Sequence, residues 1–152
     1  MKAPLIAATM IVAPLISQCW IVAQELKFIE EHNLQRVRVT CYLPTGNNCA
    51  DGTPPYLGTI STNKEHLGQH CILYRADNLE PIGEYVSHDI GGHKDLQNGS
   101  AIDIYQDTMQ GAWGWLDRNG TTVYVEWIER EEDDNVDQYQ TDGHATQTPA
   151  DD

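Results

Sequence analysis

Short runs of alternating apolar and polar residues recur along the middle of the chain. In residues 36–42, Val37, Val39 and Cys41 fall on one side of an extended segment, which is typical of a half-buried strand. Similar runs predict further strands at residues 57–62, 71–74, 82–87, 101–105 and 122–128. Six short strands in one domain predict a mainly β fold. We expect a small closed barrel, because closure leaves no sheet edge exposed.

One stretch after the fifth strand has helical spacing instead. Its repeating residues are Met109, Ala112, Trp113 and Leu116. Asp107 or Thr108 is suited to cap its N-terminus, and Asn119 followed by Gly120 is suited to end it. We therefore predict one helix here, with Trp113 or Trp115 packed in the core. Residues 91–99, rich in glycine and polar residues, predict a loop.

The N-terminal segment differs from this body in composition. Residues 1–23 are mostly apolar after Lys2 and predict a signal peptide or an N-terminal membrane anchor. A lipid anchor on Cys19 is disfavoured, because Gln18 stands where a small residue is expected. We expect Pro14 to break a buried helix in this segment. Residues 24–35 predict a polar linker with some helical periodicity.

Acidic residues dominate the chain and concentrate at its C-terminus. The formal net charge is −14, which excludes nucleic acid as a partner and disfavours docking on anionic lipid. Any membrane association is therefore expected only through the N-terminal segment, and we expect a monomer. From Glu129 onward there are nine acids and one base, and we predict that residues 131–152 form a disordered acidic tail. The folded domain is expected at residues 36–130.

Two aspartates are the candidates for chemistry. Asp103 alternates with Ile102 and Ile104, so its side chain points away from the core. Asp89 ends a strand that enters a turn containing Gly91 and Gly92, where glycine lets the backbone come close to another group. Two neighbouring carboxylates raise one pKa and keep one group protonated near neutral pH. Cleavage of a glycosidic bond needs such a protonated carboxyl.

Alternative sites receive less support from the spacing. His88, Asp89 and His93 form one possible metal-ligand set, and His66 and His70 form another. These stretches are predicted as strand and loop, where such spacing does not ensure a shared face, so no metal site is assigned. Cys41, Cys49 and Cys71 lack a CxxC pair, and a cysteine nucleophile is disfavoured. No phosphate-binding loop or GxSxG motif is present, and we expect no cofactor.

Several motifs together resemble a known family. In chain order they are Thr40-Cys41-Tyr42, Asp51-Gly52-Thr53, residues 63–68, residues 82–85, Asp89-Ile90-Gly91-Gly92, residues 99–105 and Ala112-Trp113. They resemble the 3D (three-aspartate) domain, which occurs in enzymes of the membrane-bound lytic transglycosylase A type. It also occurs in Firmicute stationary-phase-survival and resuscitation-factor-like wall proteins. The resemblance covers about residues 37–128, and the D-x-G-G and I-D-x-Y motifs in that order carry most of it.

This resemblance implies a six-stranded double-psi β-barrel with one or two short helices that cleaves peptidoglycan outside the cytoplasm. The I-D-x-Y aspartate of the family is the single acid/base, which implies that role for Asp103, with Asp89 tuning and orienting it. The expected substrate is a peptidoglycan glycan strand, and the expected product ends in a 1,6-anhydro ring. The residues expected to bind substrate are Asn63, Thr53, Tyr42, Tyr105, Gly91 and Gly92.

One position departs from the family pattern. The first family aspartate aligns with Asn63, which hydrogen-bonds but carries no charge. If that carboxylate sets the pKa of Asp103, the chain is expected to be a non-catalytic module that binds wall glycan. If it only orients substrate, lytic transglycosylase activity is retained.

Overall fold

The described residues form a closed six-stranded β-barrel, with one long helix before the first strand and shorter helices between later strands. The computed structural model describes residues 5–128, with side chains described from residue 18 onward. The elements are α1 (Leu5–Glu31), β1 (Gln35–Tyr42), β2 (Thr59–Thr62), a 3-10 turn (Lys64–His66), β3 (His70–Arg75), β4 (Pro81–Ile90), α2 (Lys94–Gln97), β5 (Ala101–Tyr105), α3 (Met109–Asn119) and β6 (Thr122–Ile128). The strands close in the order β1, β5, β2, β4, β3, β6.

The strand pairing confirms the predicted six-stranded barrel. All six predicted strands are present, and β5 and β6 have the predicted bounds. The pairs β1–β5 and β2–β4 are parallel, and the other four neighbouring pairs are antiparallel. Residues 91–99, predicted as a loop, contain the four-residue helix α2. A helix of one turn is too short to show a hydrophobic period, so sequence spacing does not reveal it.

Alternation along the strands fills the barrel with apolar side chains. The buried core consists of Val37, Val39, Ile60, Cys71, Leu73, Tyr85, Ile102, Ile104, Trp115, Val123 and Val125. Trp115 is 5% exposed and donates its indole N–H to the Tyr85 hydroxyl at 3.0 Å, whereas Trp113 is 67% exposed. One of the two helical tryptophans therefore lies in the core, as predicted. Through Trp115, and through Leu116 packed against the same cluster, α3 is part of the core.

The ends of α3 follow the predicted signals. The Thr108 hydroxyl accepts the Gly111 N–H at 3.0 Å, so Thr108 rather than Asp107 is the cap. Gly120 ends the helix at φ 81°, a left-handed conformation that glycine adopts without steric cost.

α1 contacts the barrel through its C-terminal end. The Phe28 ring packs edge-on against Tyr74, with ring centres 5.7 Å apart, and His32 lies 2.8 Å from the Glu126 carboxylate. The expectation that Pro14 breaks the helix is wrong, since α1 runs through that position. A proline removes one backbone hydrogen bond but leaves the turns on either side able to form theirs.

Residues 24–35, interpreted as a linker, are helical as far as Glu31. Within the part of the chain that the structure describes, no helix combines the length and apolarity needed to span a bilayer. The predicted acidic tail, residues 131–152, lies outside the described residues.

Candidate active site

Asp103 lies on the outer face of the barrel, between two strands. It is registered opposite Thr40 on β1 and opposite Ser61 on β2. Residues directly opposite each other on paired strands point to the same face, so these three side chains form one row across the sheet. The Thr40 hydroxyl donates a 2.9 Å hydrogen bond to Oδ1 of Asp103. The pattern prediction that Asp103 points away from the core agrees with this register.

Asp103 forms part of the wall of an open groove. The groove encloses about 220 Å³ between β1, β5 and α2. It is lined by Arg38, Thr40, His93, Asp95, Leu96, Ala101 and Asp103. On one wall, the Arg38 guanidinium donates to Oδ2 of Asp95 at 2.6 Å, which joins β1 to α2. We call this the Asp103 groove.

The environment of Asp103 raises its pKa above the ordinary value of a carboxyl. Partial burial is the main cause, because it disfavours the charged form, and the negative charge of Asp89 adds to it. The hydrogen bond from Thr40 acts in the opposite direction by stabilising the carboxylate. The neighbouring carboxylate is therefore a secondary cause, whereas the sequence argument made it the main one. A carboxyl with a raised pKa, open to a groove, is suited to donate a proton.

A bulge in β4 brings Asp89 to the same face. Ile60 pairs with Ser87, but the next residue of β2, Ser61, pairs with Asp89, so His88 is an extra residue. Tyr85 and Ser87 are buried inside the barrel, and uninterrupted alternation would direct residue 89 inward as well. The extra residue reverses the alternation, so Asp89 faces outward in the row of Ser61.

The Asp89 carboxylate is held by main-chain groups. Its Oδ1 accepts the N–H of Ala50 at 3.0 Å and the N–H of Ile90 at 2.9 Å. Asp89 and Asp103 lie on either side of Ser61, two strand spacings or about 10 Å apart at the backbone. Asp89 is not among the residues that line the Asp103 groove. The two aspartates therefore share a face and influence each other electrostatically, from opposite sides of β2.

Two tyrosines extend the row beyond Asp103. Tyr42 and Tyr105 are opposite each other on β1 and β5, with ring centres 5.4 Å apart in an edge-to-face arrangement. The Tyr42 hydroxyl is sealed from solvent and has no oxygen or nitrogen partner among the described residues. Burial, the Cys49 thiol and both aspartates raise its pKa. Tyr105 is itself buried, and a substrate-binding role for either tyrosine stays a prediction.

The remaining predicted binding residues have structural contacts of their own. The Asn63 side chain accepts the His66 N–H at 3.2 Å and caps the 3-10 turn. The Thr53 hydroxyl donates to Oδ1 of Asp51 at 2.7 Å inside the loop that precedes β2. Gly91 packs against α2, where an added Cβ would lie 2.2 Å from a Leu96 methyl carbon.

Gly92 differs from its neighbour, since an added Cβ would meet nothing within 4 Å. The close approach expected of this glycine turn is therefore made by Gly91 alone, and its partner is the Leu96 side chain.

The histidines of the metal alternatives have other partners. His88 contacts Asp51 through Nδ1 and Tyr56 through Nε2. His93 accepts the Asp95 N–H and caps α2. Among the described residues, no group of three or more histidine, cysteine or acidic side chains is arranged to hold a metal ion. The four cysteines are free thiols.

Sequence reasoning missed several contacts that shape the site. Thr40 was named only as part of a motif without a role, and Arg38 and Asp95 were not named, although Arg38 and Thr40 alternate with buried valines and so belong to the outer face of β1. That alternation was visible, but the parallel pairing of β1 with β5 was not, because it joins residues about 60 apart in sequence. The Ala50 N–H that binds Asp89 carries no side-chain signal at all.

Comparisons with known proteins add little to this geometry. No family model matches the chain, and no curated protein matches it. Among solved structures, the chain is similar to MltA from E. coli, with 18% identity and a TM-score of 0.38. The match covers 55% of this chain and 28% of that one, so the chain spans little more than a quarter of that protein's length. A similarity of this size assigns no function, and the functional argument therefore depends on the Asp103 groove.

Proposed function

We propose that the protein is a lytic transglycosylase that cleaves peptidoglycan between N-acetylmuramic acid and N-acetylglucosamine. The observation that carries the proposal is the half-buried Asp103, whose pKa is raised and which opens onto the Asp103 groove. The motif resemblance supplies the substrate class. Peptidoglycan lies outside the cytoplasmic membrane, so the proposal includes an extracytoplasmic location.

One carboxyl is sufficient for the proposed reaction, because the nucleophile belongs to the substrate. Asp103 donates its proton to the bridging oxygen as the bond from that oxygen to the muramic acid C1 breaks. The sugar's own 6-hydroxyl oxygen then forms the new bond to C1. The Asp103 carboxylate takes the proton of that hydroxyl and is thereby ready for another cycle. Burial favours the first step, and the Thr40 hydrogen bond stabilises the carboxylate formed in it.

Asp89 has an orienting role in this scheme. Two backbone N–H groups bind one of its oxygens, so the carboxylate is fixed in direction while its charge raises the pKa of Asp103. Asp89 therefore helps to keep Asp103 protonated before the substrate arrives.

The test is digestion of purified peptidoglycan with the full-length protein, followed by mass spectrometry of the products. We expect muropeptides with anhydro ends, and we expect Asp103→Asn to lower the rate by about 1,000-fold, within the usual contribution of a general acid/base. Asp95→Asn is a matched control, since it removes a carboxylate from the same groove but not the proton donor. Absence of anhydro products with the unmutated protein rejects the proposal.

A non-catalytic glycan-binding module is the second candidate, and Asn63 is the observation that favours it. The aligned family residue is an aspartate, whereas here an uncharged side chain caps the 3-10 turn. Asn63→Asp tests this alternative, because an aspartate also accepts the His66 N–H and preserves the cap. Binding to peptidoglycan without anhydro products, together with activity gained by Asn63→Asp, supports the module. Activity already present in the unmutated protein excludes it.

A further inference from the structure

The bulge residue His88 connects Asp89 to the loop before β2. Nδ1 of His88 lies 2.5 Å from Oδ2 of Asp51, and Nε2 lies 3.0 Å from the Tyr56 hydroxyl. The pKa of Asp51 is lowered to about 2, chiefly by two hydrogen bonds from Thr53, so its carboxylate accepts. Nδ1 of His88 therefore carries a hydrogen, and this N–H donates a hydrogen bond to Oδ2 of Asp51. The imidazole side chain is only 17% exposed, whereas its partner Asp51 lies at the surface.

The loop of residues 49–53 is a compact turn held by Asp51. Oδ1 of Asp51 accepts both the N–H and the hydroxyl of Thr53, at 2.9 and 2.7 Å. The Cys49 N–H donates to the Thr53 carbonyl at 2.8 Å and closes the turn. The Asp51 N–H donates to the His88 carbonyl at 3.2 Å, so the loop is tied to β4 by main chain and side chain together.

This attachment decides where the Ala50 N–H lies. Ala50 stands between Cys49 and Asp51, and its N–H donates to Oδ1 of Asp89 at 3.0 Å. The loop therefore has two side-chain contacts with β4: Asp51 contacts the bulge residue His88, and the Ala50 N–H contacts the carboxylate of the next residue, Asp89. A shift of the loop by 1 Å lengthens the Ala50 hydrogen bond beyond the range in which such bonds are effective.

We propose that His88 and Asp51 are positioning residues, which hold the loop of residues 49–53 against β4 so that the Ala50 N–H fixes the carboxylate of Asp89. This inference rests on the proposed function, since it concerns the residue that orients and tunes Asp103. Neither His88 nor Asp51 lines the Asp103 groove. Their effect on the reaction is exerted through Asp89.

The consequence for Asp103 has a definite sign. The charge of Asp89 raises the pKa of Asp103, so an Asp89 carboxylate released from the loop and turned toward water has a weaker effect. The pKa of Asp103 then falls toward its ordinary value, and the protonated fraction at neutral pH decreases. Tyr42 and Cys49 also lie near Asp89, and their pKa values are both raised, so they remain neutral near pH 7. Asp51, across the same loop, has a pKa lowered to about 2 and stays charged, and its contact with His88 is the one that the variants change.

The test compares His88→Ala with His88→Asn, because an asparagine amide can replace the Nδ1–H donor to Asp51. In His88→Ala we expect the Ala50 amide to exchange its hydrogen faster with solvent, and the basic limb of the kcat/KM profile to move to lower pH. We expect kcat to fall by up to about 100-fold with a smaller change in KM, as for other displaced catalytic groups. His88→Asn is expected to restore both the exchange protection and the pH profile.

Two further variants separate positioning from a general loss of structure. Asp51→Asn should reproduce His88→Ala, and the double variant should lose no more than either single one, because both act on the same contact. His70→Asn is the matched control, since the carboxylate that His70 contacts at 2.7 Å is Glu84 rather than Asp51. It is expected to leave the Ala50 exchange rate and kcat unchanged.

The proposal fails if the Ala50 amide keeps its protection in both His88→Ala and Asp51→Asn. It fails equally if the two single losses add in the double variant. If the unmutated protein releases no anhydro product, the proposed function is rejected. Amide exchange at Ala50 and the NMR titration of the Asp103 carboxyl still decide the positioning role in that case, because neither needs turnover.

Discussion

Thr40 and Asp103 face each other across the parallel pair β1–β5, and the Thr40 hydroxyl donates a 2.9 Å hydrogen bond to the carboxylate. Thr40 is exposed whereas Asp103 is half-buried, so the carboxyl is reached from the side of β1. Two opposing effects therefore act on one group, since burial raises the pKa of Asp103 and this hydrogen bond lowers it. Burial favours the protonated carboxyl and the Thr40 hydrogen bond favours the carboxylate, which suits a group that must first donate a proton and later take one back.

Thr40→Val removes the hydrogen bond and keeps the shape of the side chain. Because the carboxylate loses a donor, the pKa of Asp103 rises further, and the basic limb of the kcat/KM profile shifts to higher pH. The proton donation that forms the carboxylate is expected to slow by about 10-fold, because the product of that step loses one hydrogen bond to a charged group. The pH profile and the NMR titration of Asp103 measure this. Thr121→Val, on the surface before β6, is the control, and an unchanged titration in Thr40→Val contradicts the prediction.

Asp103→Asn is expected to lose activity and gain stability at neutral pH. A folded-state pKa above the ordinary 3.8 means that the unfolded chain holds the carboxylate better than the fold does. The contribution of Asp103 to the stability of the unmutated protein therefore falls as pH rises from 3.8 to the raised pKa, and is constant above it. Urea unfolding at several pH values checks this. Asp103→Asn should exceed the unmutated protein at pH 7 and match it near pH 3, whereas equal stability at both pH values contradicts the assigned burial effect.

The two glycines after Asp89 are expected to respond differently to alanine. In Gly91→Ala the new Cβ meets Leu96 side-chain carbons at 2.2 to 2.8 Å, so α2 must move away from β4. Such overpacking costs about 1–3 kcal/mol in the free energy of unfolding. Gly92→Ala has no neighbour within 4 Å and is the matched control, with a change below about 0.5 kcal/mol. Thermal unfolding measures the stability of both variants. Equal losses of stability would contradict the close packing of Leu96 on α2 against Gly91.

Alternation along the strands was sufficient to predict the barrel and the outward direction of Asp103. Each strand has a buried face with period two, and local spacing alone reveals such a period. Asp89 was selected for a different reason, its position before a glycine turn. Simple alternation from Tyr85 and Ser87 would have directed its side chain into the core. The extra residue His88 turns the Asp89 side chain outward instead. A bulge of one residue leaves no periodic pattern in the sequence from which it could be predicted.

The supporting contacts of the site could not be predicted, because they join distant segments. Thr40 meets Asp103 through a parallel pair, and the Ala50 N–H meets Asp89 across 39 positions. Main-chain donors are the same at every residue except proline, so sequence gives no reason to select Ala50. The cap formed by Asn63 was equally hidden, since the 3-10 turn is only three residues long.

Tyr42→Phe is expected to stabilise the protein, because the hydroxyl it removes is buried without an oxygen or nitrogen partner among the described residues, and the Cys49 thiol beside it is a weak hydrogen-bonding group. The gain should be about 1 kcal/mol in the free energy of unfolding, the lower end of the cost of such a group. Tyr85→Phe is the matched control, since it removes the acceptor of the Trp115 N–H and should destabilise by a similar amount. Urea unfolding gives both values, and a loss in both variants would mean that the Tyr42 hydroxyl has a partner. Activity measured on Tyr42→Phe tests whether this hydroxyl has any part in substrate binding. Because the hydroxyl is sealed from solvent, we expect an unchanged rate, and a lower rate in a more stable protein would contradict that expectation.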